Sequence, residues 1–449
     1  MAPSPDCGRG NGSPPVYDRP VIAILGDLLD FTADPGFAAP SEAPGVRFRS
    51  EHWLLIDDTG RIAGAQADAP GPEWTRIEAH RGRLVMPGFI DTHVHSPQLD
   101  VIASYGTALL DWLDTHTFPA ERRHADPDVA RAAAAQFLDA LLAHGTTAAA
   151  VFPTVHKASA DALFAAAHER GMRLIAGKVL MDRHAPDGLR DDVEIAERDC
   201  RELVARWHGA GRLAYAVTVR FAPTSTPAQL DMAGRLLREI PGLRLQTHLA
   251  ESRDEVRWVA ELFPDARSYL DVYAAHGLLG PRSVFAHGIW LDDADRAALA
   301  AAGAQIAHCP SSNLFLGSGH FDWRTAHEAG VAVSIGTDVG GGTSLSMLRT
   351  LADAYKVQAM IGTRLTAWKA LHAATRGAAE HLGLAQEIGS FDAGTTADLA
   401  IWDYAVGPVA RHRDALARDL HERVFAWMTL GDDRNLAATW IAGVPCHER

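Results

Sequence analysis

Short apolar runs recur through the middle of the chain, at residues 84–95, 146–152, 173–181, 213–222, 243–248, 283–287, 304–308 and 331–338. Alanine- and leucine-rich stretches with helical spacing lie between them, for instance at 130–143 and 161–170. Eight strand–helix units in succession predict an α/β fold, a parallel (β/α)8 TIM-like barrel. The two ends of the chain are patterned differently. Residues 21–29 read as a strand, and 52–56 and 61–65 as a hairpin across Asp57-Asp58-Thr59-Gly60. Near the other end, 397–403 and 437–441 also read as strands, the second turning at Ala442-Gly443. Neither end has enough strands for a core of its own, so one small β-sandwich domain built from both termini is expected. The expected organisation is a disordered tail at 1–20, the first part of the small β domain at 21–86, the barrel at 87–394 and the rest of the β domain at 395–449.

Composition narrows the classes. At 449 residues the chain is long enough for a barrel with additions. Its net charge of −14 opposes binding to phosphate backbones, so no nucleic-acid partner is expected. The four cysteines, Cys7, Cys200, Cys309 and Cys446, form no close pair, which suits a reduced intracellular protein. The first 20 residues are rich in Pro, Gly and Ser and lack the apolar segment of a signal peptide. No apolar run approaches the roughly 20 residues that span a bilayer. A cytoplasmic location is expected.

The chemistry begins at His93-Val94-His95, which closes the first run. Residues two apart on a strand face the same side, so these imidazoles form half of a metal site. His248, His287 and Asp338 close the fifth, sixth and eighth runs. Strand C-terminal ends are where barrels place their chemistry. Imidazoles with a carboxylate suit zinc or ferrous iron, and zinc, needing no redox partner, is expected, with a position left open for water. Asp338 could bind the metal, accept a proton, or do both. Glu251, three residues after His248, could shuttle protons or simply favour a helix N-terminus. Arg220 closes the fourth run and could meet an anion or carbonyl oxygen, or form a structural ion pair. Gln98 could match a nucleobase edge or be a loop amide. Phe221 could stack on a planar substrate or belong to the core, and His308 could line the pocket. Lys178 closes the third run with no evident role, and His144, His168 and His184 read as surface or capping residues.

Pro87-Gly88-Phe89-Ile90-Asp91-Thr92-His93-Val94-His95 resembles the opening strand of the amidohydrolase superfamily. Within it, Ser96-Pro97-Gln98, Leu109-Leu110-Asp111-Trp112-Leu113 and Thr117-Phe118-Pro119-Ala120-Glu121 resemble the guanine deaminase family. So do Gly177–Asp182, Arg220–Ser225, Gln246–Ser252, Ala307–Asn313 and Gly336–Gly341. The resemblance implies one zinc per chain on His93, His95, His248, His287 and Asp338, with Glu251 as proton shuttle. It implies that Gln98 and Arg220 hold the purine, Arg220 on the carbonyl oxygen. The implied reaction is hydrolysis of guanine to xanthine and ammonia in purine catabolism, by a homodimer in which the 109–121 loop is a contact or a lid. A two-metal cyclic amide hydrolase would need a lysine where strand four carries Arg220. A cytidine-type deaminase would need a Cys-x-x-Cys pair that the chain lacks. A sister deaminase acting on another purine, a pterin or a triazine is the remaining alternative.

Overall fold

The computed structural model describes residues 20–106 and 108–449. The tail expected at 1–20 lies, except for Pro20, outside them. Eight parallel strands run in sequence order around a barrel: Phe89–His95, Thr146–Phe152, Arg173–Ala176, Leu213–Val219, Arg244–Leu249, Ser283–His287, Gln305–His308 and Ala332–Ile335. They are called barrel strands one to eight below. Strand three breaks at Gly177-Lys178 and resumes as Val179–Leu180 beside strand four.

The barrel interior is filled with small side chains. Ile90, Ala148, Ala150, Ile175, Ala214, Ala216, Val284 and Ala307 pack as one cluster with Ala378 and Ala379 of the helix Arg376–His381. That helix closes the N-terminal end, where the Ile90 N–H donates to the Ala374 carbonyl at 2.9 Å. The other face of each strand packs on the surrounding helices. Pro127–Leu142 is typical: Asp126 caps it, proline opens it, and Ala130, Ala134, Phe137, Leu138 and Leu141 bury one stripe.

Strand one departs from a regular strand. Its register against strand two shifts between Asp91 and Val94. The shift changes the parity of the strand, so that Ile90 below and both His93 and His95 above face the interior. Strands one and eight meet through bonds at the seam. The Asp338 N–H donates to the His93 carbonyl at 2.9 Å, and the His95 N–H to the Val339 carbonyl at 3.0 Å. Asp91 accepts from the Thr337 hydroxyl, from the Thr337 N–H at 3.0 Å and from the His93 N–H at 3.2 Å. A Cβ on Gly336 would lie 2.8 Å from that of His93, so only glycine lets the strands approach this closely.

The termini share one mixed sheet of seven strands, in the order Val444–Glu448, Leu436–Ile441, Leu399–Trp402, Arg76–Pro87, Ile22–Phe31, Val46–Ile56 and Ile62–Gln66. The apolar run expected at 84–95 is therefore two elements that part at Gly88: the first ends in this sheet and the second opens the barrel. The sheet folds over, with Arg61 bridging to Thr396, and encloses Ile24, Leu54, Ile56, Leu399, Ile401 and Trp440.

Candidate active site

Four imidazoles and a carboxylate converge at the C-terminal mouth of the barrel. His95 Nε2 lies 3.3 Å from His93 Nε2 and 3.2 Å from His248 Nε2. Asp338 Oδ1 lies 3.1 Å from His93 Nε2 and 3.3 Å from His95 Nε2, and Asp338 Oδ2 lies 3.7 Å from His287 Nε2. His287 and Asp338 sit in the left-handed backbone region, with φ of 70° and 50°. Such strained backbone at two strand ends is characteristic of functional positions.

These distances fit a metal ion. Nitrogen and oxygen ligands that each reach a zinc ion at about 2.0–2.2 Å would stand about 3 Å or more from one another. Three of the rings are also held neutral, as metal ligands must be. Burial lowers His93, takes His95 down to about 3 and holds His248 well below the ordinary histidine value. Asp338 stays ionised: burial disfavours its charge, but His93, His95 and His287 around it together more than offset that. The buried His287 Nε2 has no hydrogen-bond partner among the described residues, which is costly unless a cation takes its lone pair. In two of the rings the other nitrogen is held by the protein, which fixes the ring's orientation. His248 Nδ1 lies 2.6 Å from the Arg220 carbonyl oxygen, and His287 Nδ1 lies 2.8 Å from Asn313 Oδ1. Cys309 is also close, but burial pushes its thiol well up and its Sγ donates to the Ala307 carbonyl at 3.3 Å, so it is a neutral neighbour.

Glu251 stands beside this cluster, its Oε2 3.4 Å from His287 Nε2 and its Oε1 accepting from the Ser318 hydroxyl at 3.0 Å. Burial, then the Asp338 charge, pushes its carboxyl up to about 8. The helix Arg253–Leu262 that follows is capped by Ser252 and Glu255 in a capping box, and Glu255 also accepts from the Glu251 N–H at 2.9 Å. Capping therefore does not occupy the Glu251 carboxylate.

A cavity of about 410 Å³, part of it open to solvent, lies over these groups. Gln98, Arg220, Phe221, Glu251 and Asp338 line it, and Leu109, Trp112 and Leu113 form an apolar wall. That wall belongs to the 109–121 segment. Phe221 faces the cavity with Trp258 6.1 Å behind it, edge-on. His308 is not among the lining residues. It is buried against Phe321 at 4.9 Å and Trp323 at 5.9 Å. Lys178 is paired with Asp191 away from the cavity. Asp91, Asn313, Ser318 and Glu121 serve the site without having been singled out in the sequence. Each acts on another side chain across a long sequence separation, and no local pattern marks such a role.

The comparisons agree with this geometry. The amidohydrolase family matches residues 84–446. Guanine deaminase from Escherichia coli K12 is 47% identical over 432 residues, covering 95% of this chain and 98% of that protein. The solved E. coli enzyme superposes with a TM-score of 0.91 at 44% identity, over 95% of this chain and 99% of that one. Guanine deaminase from C. acetobutylicum, solved with guanine bound in its active site, gives a TM-score of 0.85 at 26% identity, over 95% and 99% of the two chains. The chain thus belongs to the amidohydrolase family and, inside it, to the guanine deaminases.

Proposed function

We infer that this protein hydrolyses guanine to xanthine and ammonia, with one zinc ion held by His93, His95, His248, His287 and Asp338. One observation carries the reading: ionised Asp338 and the proton-retaining Glu251 flank His287 Nε2 at 3.7 and 3.4 Å, on the floor of a cavity whose wall presents Arg220 and Gln98. Zinc held by these residues would supply a Lewis acid and would bring the pKa of a water down to about 7. Asp338 holds the attacking water and accepts its proton. Arg220 and Gln98 hold the purine by its carbonyl oxygen, with Phe221 against the ring. Attack at C2 builds negative charge on the ring, which Glu251 relieves by protonating N3. Asp338 then passes a proton to the departing amino group, ammonia leaves as the C2–N bond breaks, and the C2 hydroxyl returns its proton to Glu251 to give xanthine.

Adenine carries an amino group where guanine has its oxygen and would leave the arginine N–H groups that face the cavity without an acceptor. A pocket built to hydrogen-bond one group rejects a substrate lacking it by several kcal/mol. Ammonia release from guanine, 8-oxoguanine, adenine, cytosine, pterins and triazines tests this. Guanine is expected to exceed adenine by roughly a thousandfold or more, and comparable rates on both would overturn the reading. Faster turnover of a pterin or triazine would favour the sister-deaminase alternative. Metal analysis is expected to give about one zinc per chain, and full activity after chelation would rule the metal out. A cytoplasmic homodimer completes the proposal. No helix among the described residues is long and apolar enough to cross a membrane, and neither Cys200 nor Cys309 forms a disulfide among those residues. Light scattering tests the dimer.

A further inference from the structure

Glu121 lies on the short helix Phe118–Arg122, fully buried and behind the cavity wall. Its Oε1 accepts from Arg220 Nη1 at 2.7 Å and from Gln98 Nε2 at 3.2 Å. Its Oε2 has no hydrogen-bond partner among the described residues. A carboxylate buried for stability alone would be expected to satisfy both oxygens, because an unpaired buried charge is costly. Here one oxygen gathers the two side chains that line the cavity for the purine.

The consequence for Gln98 is specific. Its Oε1 is taken by the Gly340 N–H at 3.0 Å, and one of its two amide hydrogens by Glu121. Flipping the amide would set its oxygen against a carboxylate and its NH2 against a backbone donor. The amide is thus held with its oxygen toward Gly340 and its second N–H free for a ligand. Arg220 offers only donors in any orientation, and Phe118 lies under its guanidinium at 5.8 Å. Gln98 and Arg220 together present donors and no acceptor.

We propose that Glu121 is a specificity-determining positioning residue, which locks Gln98 and Arg220 into an all-donor pair and so restricts the pocket to purines bearing an oxo group beside a ring-nitrogen lone pair. The inference rests on the guanine-hydrolysis reading and adds the means of selection. The informative competitor is 2,6-diaminopurine, which keeps the reacting C2 amino group but carries an amino donor in place of the oxygen. Glutamine at 121 withdraws the anionic acceptor that Gln98 and Arg220 share, so neither side chain is then held as firmly on the oxo group.

The test compares kcat and KM on guanine and 2,6-diaminopurine for the zinc-loaded parent, Glu121→Gln and Glu121→Asp. Glu121→Gln is expected to raise KM for guanine about tenfold or more, with a smaller effect on kcat, and to narrow the preference for guanine over 2,6-diaminopurine about tenfold. Glu121→Asp keeps the charge and is expected to keep most of the preference. An equal loss on both substrates would overturn the proposal, as would an unchanged ratio. Loss of zinc or of the folded state in both variants would also overturn it, by making Glu121 a structural residue. If instead the parent fails to release ammonia from guanine, the function itself is misassigned, whatever the variants do.

Discussion

Glu251 and His308 are both buried, both close to the metal cluster in sequence or space, and differ in what their polar atoms face. Glu251 faces the cavity, with its proton held up to about 8 by burial and by Asp338. Glu251→Gln keeps the shape and removes the titrating proton. It is expected to fold, hold zinc and bind guanine, but to lose at least about a hundredfold in turnover. Turnover within a few-fold of the parent would return Glu251 to the status of a helix-end residue. His308 faces aromatic rings, with neither ring nitrogen partnered among the described residues, and burial takes it down to about 3. A histidine whose folded value lies below its unfolded value near 6.5 leaves the unfolded state holding the extra proton. Stability is therefore lost as pH falls from about 6.5 toward the folded value. His308→Phe removes that liability. Its thermal stability relative to the parent is expected to improve as pH drops from 7 to 5, by about 2 kcal/mol at pH 5. A large rise in KM for guanine in the same variant would instead make His308 a substrate contact.

The elements that matter most are barrel strands one and eight, because their seam carries three of the five proposed ligands. Asp91 clamps that seam by accepting from Thr337 twice and from the His93 N–H. Asp91→Ala leaves those buried donors unpaired, each at about 1–3 kcal/mol. Outer-shell partners of ligands typically change metal affinity about 10- to 100-fold. Asp91→Ala is expected to lower the melting temperature and to weaken zinc by that factor, measured by competition with a chelator. Unchanged zinc affinity would show that the ligands hold their positions without the clamp.

At the scale of the whole molecule, the barrel and the terminal sheet share packing. Leu29, Phe31, Leu84, Met86, Trp402 and Leu436 of the sheet belong to the same buried cluster as the outward faces of the barrel strands. Asp398, at the edge of the sheet and nearly fully buried, pairs with Arg212 at the start of barrel strand four and accepts from the Ala442 N–H at 2.9 Å. The two parts are expected to unfold together, with calorimetric and van't Hoff enthalpies in agreement. Asp398→Ala breaks a buried pair, which typically costs about 3–5 kcal/mol, and is expected to move that single transition down while leaving kcat on folded enzyme near the parent's. Two separated transitions would show that the sheet is an independent unit.

What the sequence determined by itself is what local periodicity and residue chemistry can encode. Alternating apolar runs and helical stretches specified a parallel barrel, and the period of two placed His93 and His95 on one face. Strand-end positions then gathered His248, His287 and Asp338 at the barrel mouth, since strands in a barrel end at a common rim. Relations between segments distant in the chain were decided only by the tertiary structure. Division of the 84–95 run at Gly88 depends on two different sheets competing for its halves. The parity shift at Asp91 is held from Thr337, on the last barrel strand. The place of the Glu251 carboxyl at the cavity depends on Ser318 and His287, both far along the chain. Glu121 closes one of the stretches that carry the family resemblance, but its role shows only where Gln98 and Arg220 meet it.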